Sequence, residues 1–138
     1  PLLQRGKTKF AKLELVMYEI TIKTNFSAAH YLKGYEGKCS SLHGHNWMVE
    51  ISVLAEKIDS LGMGIDFYIL KGESEKILKE LDHKNLNDIP YFKEENPSSE
   101  NIARFIYQNI KTNLHEKKVK ISWVKVSETL NNSVTYWE

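Results

Sequence analysis

Cysteine is almost absent from the 138-residue sequence, which contains Cys39 alone. One cysteine cannot form an intramolecular disulfide, so a small disulfide-stabilised secreted scaffold is excluded. A single thiol suits a reducing compartment, and we therefore expect a cytoplasmic protein. In that setting Cys39 is a candidate reactive group rather than a structural one.

The sequence also lacks a long apolar run and an excess of charge of either sign. No stretch of about 18 apolar residues occurs, so no membrane-spanning helix is predicted. The 19 basic and 18 acidic residues give a formal net charge of +1. The overall electrostatics therefore favour neither nucleic acid nor a membrane surface as a partner.

The first sixteen residues differ in character from the rest of the chain. They mix four basic residues with scattered leucines and have no continuous apolar centre of the kind that secretory signals carry. We interpret residues 1–16 as an N-terminal extension or tag-like arm, with an ordinary first strand as the alternative. Residues 17–138 show no boundary, repeat or low-complexity segment, and we interpret them as a single domain.

Alternating apolar and polar residues predict four strands, at 18–26, 45–54, 119–128 and 133–137. Helical spacing predicts two helices, one capped by Asp66 and one capped by Ser98 or Ser99. The order ββααββ indicates an α+β fold with a four-stranded antiparallel sheet and both helices on one face. Such a sheet leaves two edges and one face uncovered, which favours assembly with other subunits.

Three of the five histidines are predicted to meet at one end of this sheet. His43 and His45 are two residues apart in an extended segment, so their rings project to the same side. His30 follows the first predicted strand with matching parity, and the end of that strand lies beside the start of the next in an antiparallel pair. Three imidazoles without a fourth protein ligand are typical of catalytic Zn²⁺. The alternatives are three unrelated histidines, or a closed structural site that Cys39 completes.

The two remaining histidines have different surroundings. His115 lies among charged residues and reads as a solvated turn residue. His83 directly follows Asp82, whose carboxylate could orient the ring as carboxylates do in catalytic relays. A histidine placed at a helix C-terminus for its interaction with the helix dipole is the alternative for His83.

Six motifs in order resemble the 6-pyruvoyltetrahydropterin and 6-carboxytetrahydropterin synthase family, from about Tyr18 to the C-terminus. They are Phe26-Ser27-Ala28-Ala29-His30, Cys39-Ser40-Ser41-Leu42-His43-Gly44-His45-Asn46, Gly62-Met63-Gly64-Ile65-Asp66-Phe67, Leu81-Asp82-His83-Lys84-Asn85-Leu86-Asn87, Pro97-Ser98-Ser99-Glu100-Asn101 and Val126-Ser127-Glu128-Thr129. The resemblance implies a tunnelling fold (T-fold) that assembles into an oligomeric barrel, usually a homohexamer of two trimers. It also implies a small-molecule pterin substrate, 7,8-dihydroneopterin triphosphate.

The resemblance assigns a role to each matching position. His30, His43 and His45 resemble the zinc ligands, in agreement with the parity argument. Cys39 resembles the thiolate that abstracts a proton, and Asp82 and His83 resemble the relay that activates it. Glu128 resembles the glutamate that anchors the pterin ring and is also placed in the relay. The segment Ser98-Ser99-Glu100 lies where the family contacts the pterin, often across a subunit boundary.

The spacing Cys39-x₃-His43 resembles the 6-carboxytetrahydropterin synthases of the queuosine route more closely than the pyruvoyl synthases, which usually carry a longer insertion. The implied activity is a zinc-dependent lyase that forms 6-carboxy-5,6,7,8-tetrahydropterin, acetaldehyde and triphosphate, with pyruvoyl synthase as the alternative. Leu42 stands where folate-linked variants place a glutamate, which disfavours that branch. Lys38 and Lys84 are candidate contacts for the triphosphate. A zinc hydrolase and a silent pterin-binding module remain as rivals from other classes, although neither needs Cys39.

Overall fold

The computed structural model describes residues 17–138, so the interpretation of residues 1–16 as an arm lies outside the described residues. Five strands and two helices form the described part. The strands are β1 (Tyr18–His30), β2 (His43–Ala55), β3 (Lys84–Asn85), β4 (Val119–Ser127) and β5 (Ser133–Tyr136), and the helices are α1 (Phe67–Leu78) and α2 (Ser99–Asn113). The predicted α+β class is confirmed, and the four predicted strands and two predicted helices occur in the predicted order.

The sheet has the strand order β3-β1-β2-β4-β5 and is open. The prediction of four antiparallel strands is wrong in one respect, because β3 adds a fifth strand that pairs in parallel with Ala28 and Ala29. Two residues are too short to show a periodic pattern, and their pairing depends on how the chain returns from α1. The extra strand covers part of one edge of β1.

Both helices begin where side-chain caps predicted them. The Asp66 carboxylate accepts the Tyr68 N–H, and the Ser98 side chain accepts the Asn101 N–H, which satisfies backbone donors that have no partner within the helix. α1 ends at Leu78, earlier than the apolar spacing to Leu81 suggested. Leu81 is nevertheless fully buried in the core between the helices and the sheet.

The register of β1 on β2 decides where the histidines lie. His30 is opposite His43, Ala28 is opposite His45, and Phe26 is opposite Trp47. Trp47 is fully buried and stacks on Phe26 with ring centroids 5.9 Å apart. This buried aromatic pair therefore lies next to the end of the sheet at which the histidines meet.

The face of the sheet opposite the helices carries both charged and apolar side chains, such as Leu54 and Trp123. Glu50 lies there between Lys23 and Lys125, with 3.7 Å between its carboxylate oxygens and each ammonium.

No helix among residues 17–138 is long and apolar enough to cross a membrane.

Candidate metal centre and active site

The three predicted histidines converge at the end of the β1–β2 pair. His30 is the last residue of β1, and His43 and His45 are the first and third residues of β2. The Nε2 atoms of His30 and His43 are 3.0 Å apart. One ligand atom from each histidine and one from Glu128 all lie within 4.8 Å of one another. This histidine–glutamate cluster is compact enough to hold one metal ion.

Backbone carbonyls orient two of the rings. His30 Nδ1 lies 2.7 Å from the Pro97 carbonyl oxygen, and His43 Nδ1 lies 2.6 Å from the Ser41 carbonyl oxygen. A carbonyl can only accept, so each Nδ1 carries the proton and donates it. Each Nε2 then presents its lone pair to the cluster, which is the arrangement that metal-binding imidazoles use.

His30 is almost completely buried, and its edge packs against Trp47 with ring centroids 4.9 Å apart. Burial lowers the pKa of His30, and the hydrogen bond to Pro97 opposes this effect only in part. The nearby rings of His43 and His45 lower the pKa further. The imidazole is therefore neutral near pH 7, which is the form that binds a metal.

Glu128 follows β4 and extends into the cluster. Its Oε1 lies 2.8 Å from His45 Nε2 and 3.3 Å from His30 Nε2. The short contact to His45 is not aligned as a hydrogen bond requires, so His45 Nε2 is a buried nitrogen without a hydrogen-bond partner. A buried, unpaired nitrogen beside two other lone pairs is costly unless something else occupies the centre. Three imidazoles and a carboxylate are ligand types that suit zinc, so these residues fit the implied metal.

Cys39 is not among the four groups of the cluster. It lies on a single turn of 3-10 helix, Lys38–Ser40, and is partly exposed. Its backbone carbonyl accepts the Leu32 N–H at 2.8 Å. The closed site with Cys39 as fourth ligand is therefore not formed among the described residues, where the fourth group is the Glu128 carboxylate.

Asp82 and His83 form a tight pair on the outer edge of β1. Asp82 Oδ2 lies 2.9 Å from His83 Nδ1, and Asp82 Oδ1 accepts the Ser27 N–H at 2.9 Å. The Ser27 N–H bond, and then the His83 side chain, lower the pKa of Asp82. The carboxylate is thus ionised at neutral pH and fixed in position to orient the ring.

The backbone of His83 adopts φ 58°, a left-handed conformation that residues other than glycine seldom adopt. Its N–H donates to the Ser27 carbonyl at 2.6 Å, which holds that conformation in place. The side chain is 81% exposed and lines a groove of about 600 Å³ with Lys23 and Lys71. Within the described residues of one chain, no hydrogen bond or ion pair joins His83 to Cys39 or to the histidine–glutamate cluster.

The predicted pterin-contacting segment lies next to the cluster. Ser98 and Ser99 are half-buried at the start of α2, and Glu100 is exposed. Pro97, which directly precedes them, bonds to His30. Sequence reasoning missed this carbonyl, because a backbone oxygen leaves no signal in the residue type.

The ββααββ core and the histidines at the end of the sheet place the chain in the class of T-fold enzymes. The sequence profile described as 6-pyruvoyl tetrahydropterin synthase matches residues 19–138. The chain belongs to the 6-pyruvoyl tetrahydropterin synthase family of lyases.

Individual relatives carry both names that the sequence suggested. A protein from Archaeoglobus fulgidus, provisionally named 6-carboxy-5,6,7,8-tetrahydropterin synthase, is 38% identical over 79% of this chain and 86% of its own length. The 6-pyruvoyl tetrahydrobiopterin synthase of Homo sapiens is 36% identical over 86% and 90% of the two chains. The solved structure of the Caenorhabditis elegans 6-pyruvoyl tetrahydropterin synthase superposes with a TM-score of 0.81 at 28% identity, covering 90% of this chain and 97% of that one. The two names occur at nearly equal identity, so similarity does not choose between the two products.

Proposed function

We propose that the chain is a zinc-dependent 6-carboxytetrahydropterin synthase, acting on 7,8-dihydroneopterin triphosphate in a queuosine-type pathway. The observation that carries the proposal is the histidine–glutamate cluster, in which three imidazole rings and one carboxylate converge beside the start of α2. Among the family's alternatives, the short Cys39-x₃-His43 spacing favours the carboxy product.

In this proposal His30, His43 and His45 hold the zinc. When bound, the zinc ion would act as a Lewis acid that can hold the side-chain hydroxyls of the substrate and make the protons on the neighbouring carbons more acidic. Each ring is already oriented by a strand or a carbonyl, so little rearrangement is needed for binding.

The remaining groups bind the pterin and move protons. The Glu128 carboxylate accepts hydrogen bonds from the pterin ring donors, while Ser98, Ser99 and Glu100 contact the ring from the start of α2. Cys39, as thiolate, takes a proton from the substrate side chain. His83, oriented by Asp82, receives that proton from the thiol.

The proposed site is shared between subunits. Asp82 and His83 lie on an edge of the sheet, and no contact joins them to Cys39 in one described chain. A neighbouring copy could bring the two groups together, and we propose a homohexamer built from two trimers. Sedimentation analysis combined with an activity assay tests this, because a fully active monomer would exclude a shared site.

Product analysis tests the activity itself. The purified protein is incubated with 7,8-dihydroneopterin triphosphate, and the products are identified by mass spectrometry. Acetaldehyde together with a carboxylated pterin supports the proposal, and a pyruvoyl pterin identifies the alternative enzyme, which the human and C. elegans relatives support. Pterin binding without turnover would instead identify a silent binding module.

A further inference from the structure

Two asparagine side chains clamp the backbone that leaves the zinc site. Asn87 Oδ1 accepts the Tyr31 N–H at 2.9 Å, and Asn87 Nδ2 donates to the Tyr31 carbonyl at 2.9 Å. Asn96 bonds in the same way to Lys33, with 2.8 Å to its N–H and 3.0 Å to its carbonyl. Each amide thus pairs with one residue as a neighbouring strand would.

The clamped segment links two groups of the proposed site. Tyr31 directly follows the ligand His30, and Leu32 donates its N–H to the Cys39 carbonyl at 2.8 Å. Asn87 and Asn96 therefore hold the segment that connects the metal-binding ring to the turn carrying the thiol. β3 pairs with β1 only at Ala28 and Ala29, so the asparagines extend the support of this edge beyond the last β3 pair.

Asn96 also belongs to a second connection with the cluster. The next residue, Pro97, accepts the His30 Nδ1–H, while the Asn96 carbonyl accepts a bond from Asn101 Nδ2 at 2.8 Å. The segment before α2 thus contacts the His30 ring through Pro97, and it contacts the loop that follows His30 through the neighbouring Asn96. Displacement of one contact would disturb the other.

Burial does not explain the Asn96 clamp. The bonds between Asn96 and Lys33 are exposed, so water could satisfy the same backbone groups if the asparagine were absent. What the side chain adds is a fixed position for Lys33, which lies in a turn and not in a strand. Asn87 is different, because it is itself buried and its loss would leave polar groups without partners.

We propose that Asn87 and Asn96 are positioning residues that hold the Cys39 turn in register with the His30 ligand. The inference rests on the proposed function for its catalytic meaning, although the clamp can be measured without turnover. Neither asparagine touches the reacting atoms in this proposal.

The test compares Asn96→Ala with Asn109→Ala. Asn109 is a suitable control because its amide also donates to a backbone carbonyl, that of Phe105, in a partly buried position on α2. Amide exchange of Leu32 and alkylation of the single thiol by a maleimide are measured on the zinc-loaded full chain. Loss of two hydrogen bonds should speed Leu32 exchange by about fivefold or more in Asn96→Ala, with faster thiol labelling and unchanged zinc content. Asn109→Ala should match the unchanged protein.

Activity supplies the second readout. A positioning role predicts a lower kcat with little change in KM for Asn96→Ala, measured well below its unfolding temperature. Asn96→Asp keeps the acceptor for the Lys33 N–H, so its kcat should lie between those of Asn96→Ala and the unmodified protein. This variant keeps the test usable if Asn96→Ala does not fold. Wild-type rates of Leu32 exchange and thiol labelling in a folded Asn96 variant would overturn the proposal. Absence of turnover in the unmodified protein would refute the proposed function, and the exchange and labelling rates would still decide the clamp.

Discussion

Glu128 has two possible partners, and one substitution separates them. Its Oε1 lies 2.8 Å from His45 Nε2, which suits a metal ligand, whereas the family resemblance makes it the anchor of the pterin. The side chain is 25% exposed, so its carboxylate is partly shielded from water. Glu128→Gln keeps the size but removes the charge and replaces one acceptor oxygen by a donor.

We expect Glu128→Gln to weaken pterin binding or turnover by about 2–3 kcal/mol, the amount typical of a lost hydrogen bond to a charged group. This corresponds to about a 30- to 140-fold loss. Zinc content should stay unchanged, because three imidazoles remain to hold the ion. Both quantities can be measured on one preparation, by elemental analysis and by steady-state kinetics or calorimetry with a reduced pterin.

Glu50→Gln is the matched control. Its side chain is 23% exposed, close to the value for Glu128, but it lies between two lysines and away from the histidines. It should leave both pterin affinity and zinc unchanged. Normal kinetics in Glu128→Gln would refute the anchor, and loss of zinc in that variant would make Glu128 a metal ligand instead.

Three further substitutions have defined outcomes. Cys39→Ala should keep zinc and lose turnover by about 100-fold or more, as expected for a general base; loss of zinc, measured by elemental analysis, would place the thiol among the metal ligands. Gly64→Ala should lower the free energy of unfolding by about 1–3 kcal/mol in a denaturant titration, because an added Cβ would lie 2.7 Å from Ala55 Cβ and 2.8 Å from Ile20 Cδ1. Gly44→Ala should be well tolerated in the same titration, because the nearest atom to its added Cβ would be 3.8 Å away; a loss as large as that of Gly64→Ala would contradict the steric argument.

The two long strands and the starts of both helices could be predicted from the sequence. Alternation over residues 18–26 and 45–54 locates β1 and β2, and their antiparallel pairing then brings His30 beside His43. Asp66 and Ser98 mark the helix starts, because an oxygen at this position accepts a backbone N–H that lacks another partner.

Features that form only when distant segments of the chain pack together could not be predicted from the sequence. β3 is too short to show a periodic pattern. The left-handed backbone of His83 is stabilised by a hydrogen bond to the distant Ser27 carbonyl, and no local turn motif predicts it. The Pro97 carbonyl and the approach of Glu128 to His45 likewise arise only when distant segments pack together. Local sequence patterns contain no information on these contacts.

Metal analysis of the purified protein tests whether three imidazoles bind a catalytic zinc ion. The purified chain should contain about one zinc per subunit, as expected for a mononuclear site. His43→Ala combined with His45→Ala should remove both the zinc and the turnover while the fold remains, because neither ring belongs to the apolar core. A folded double variant that still carries a full equivalent of zinc would show that these rings do not hold the metal.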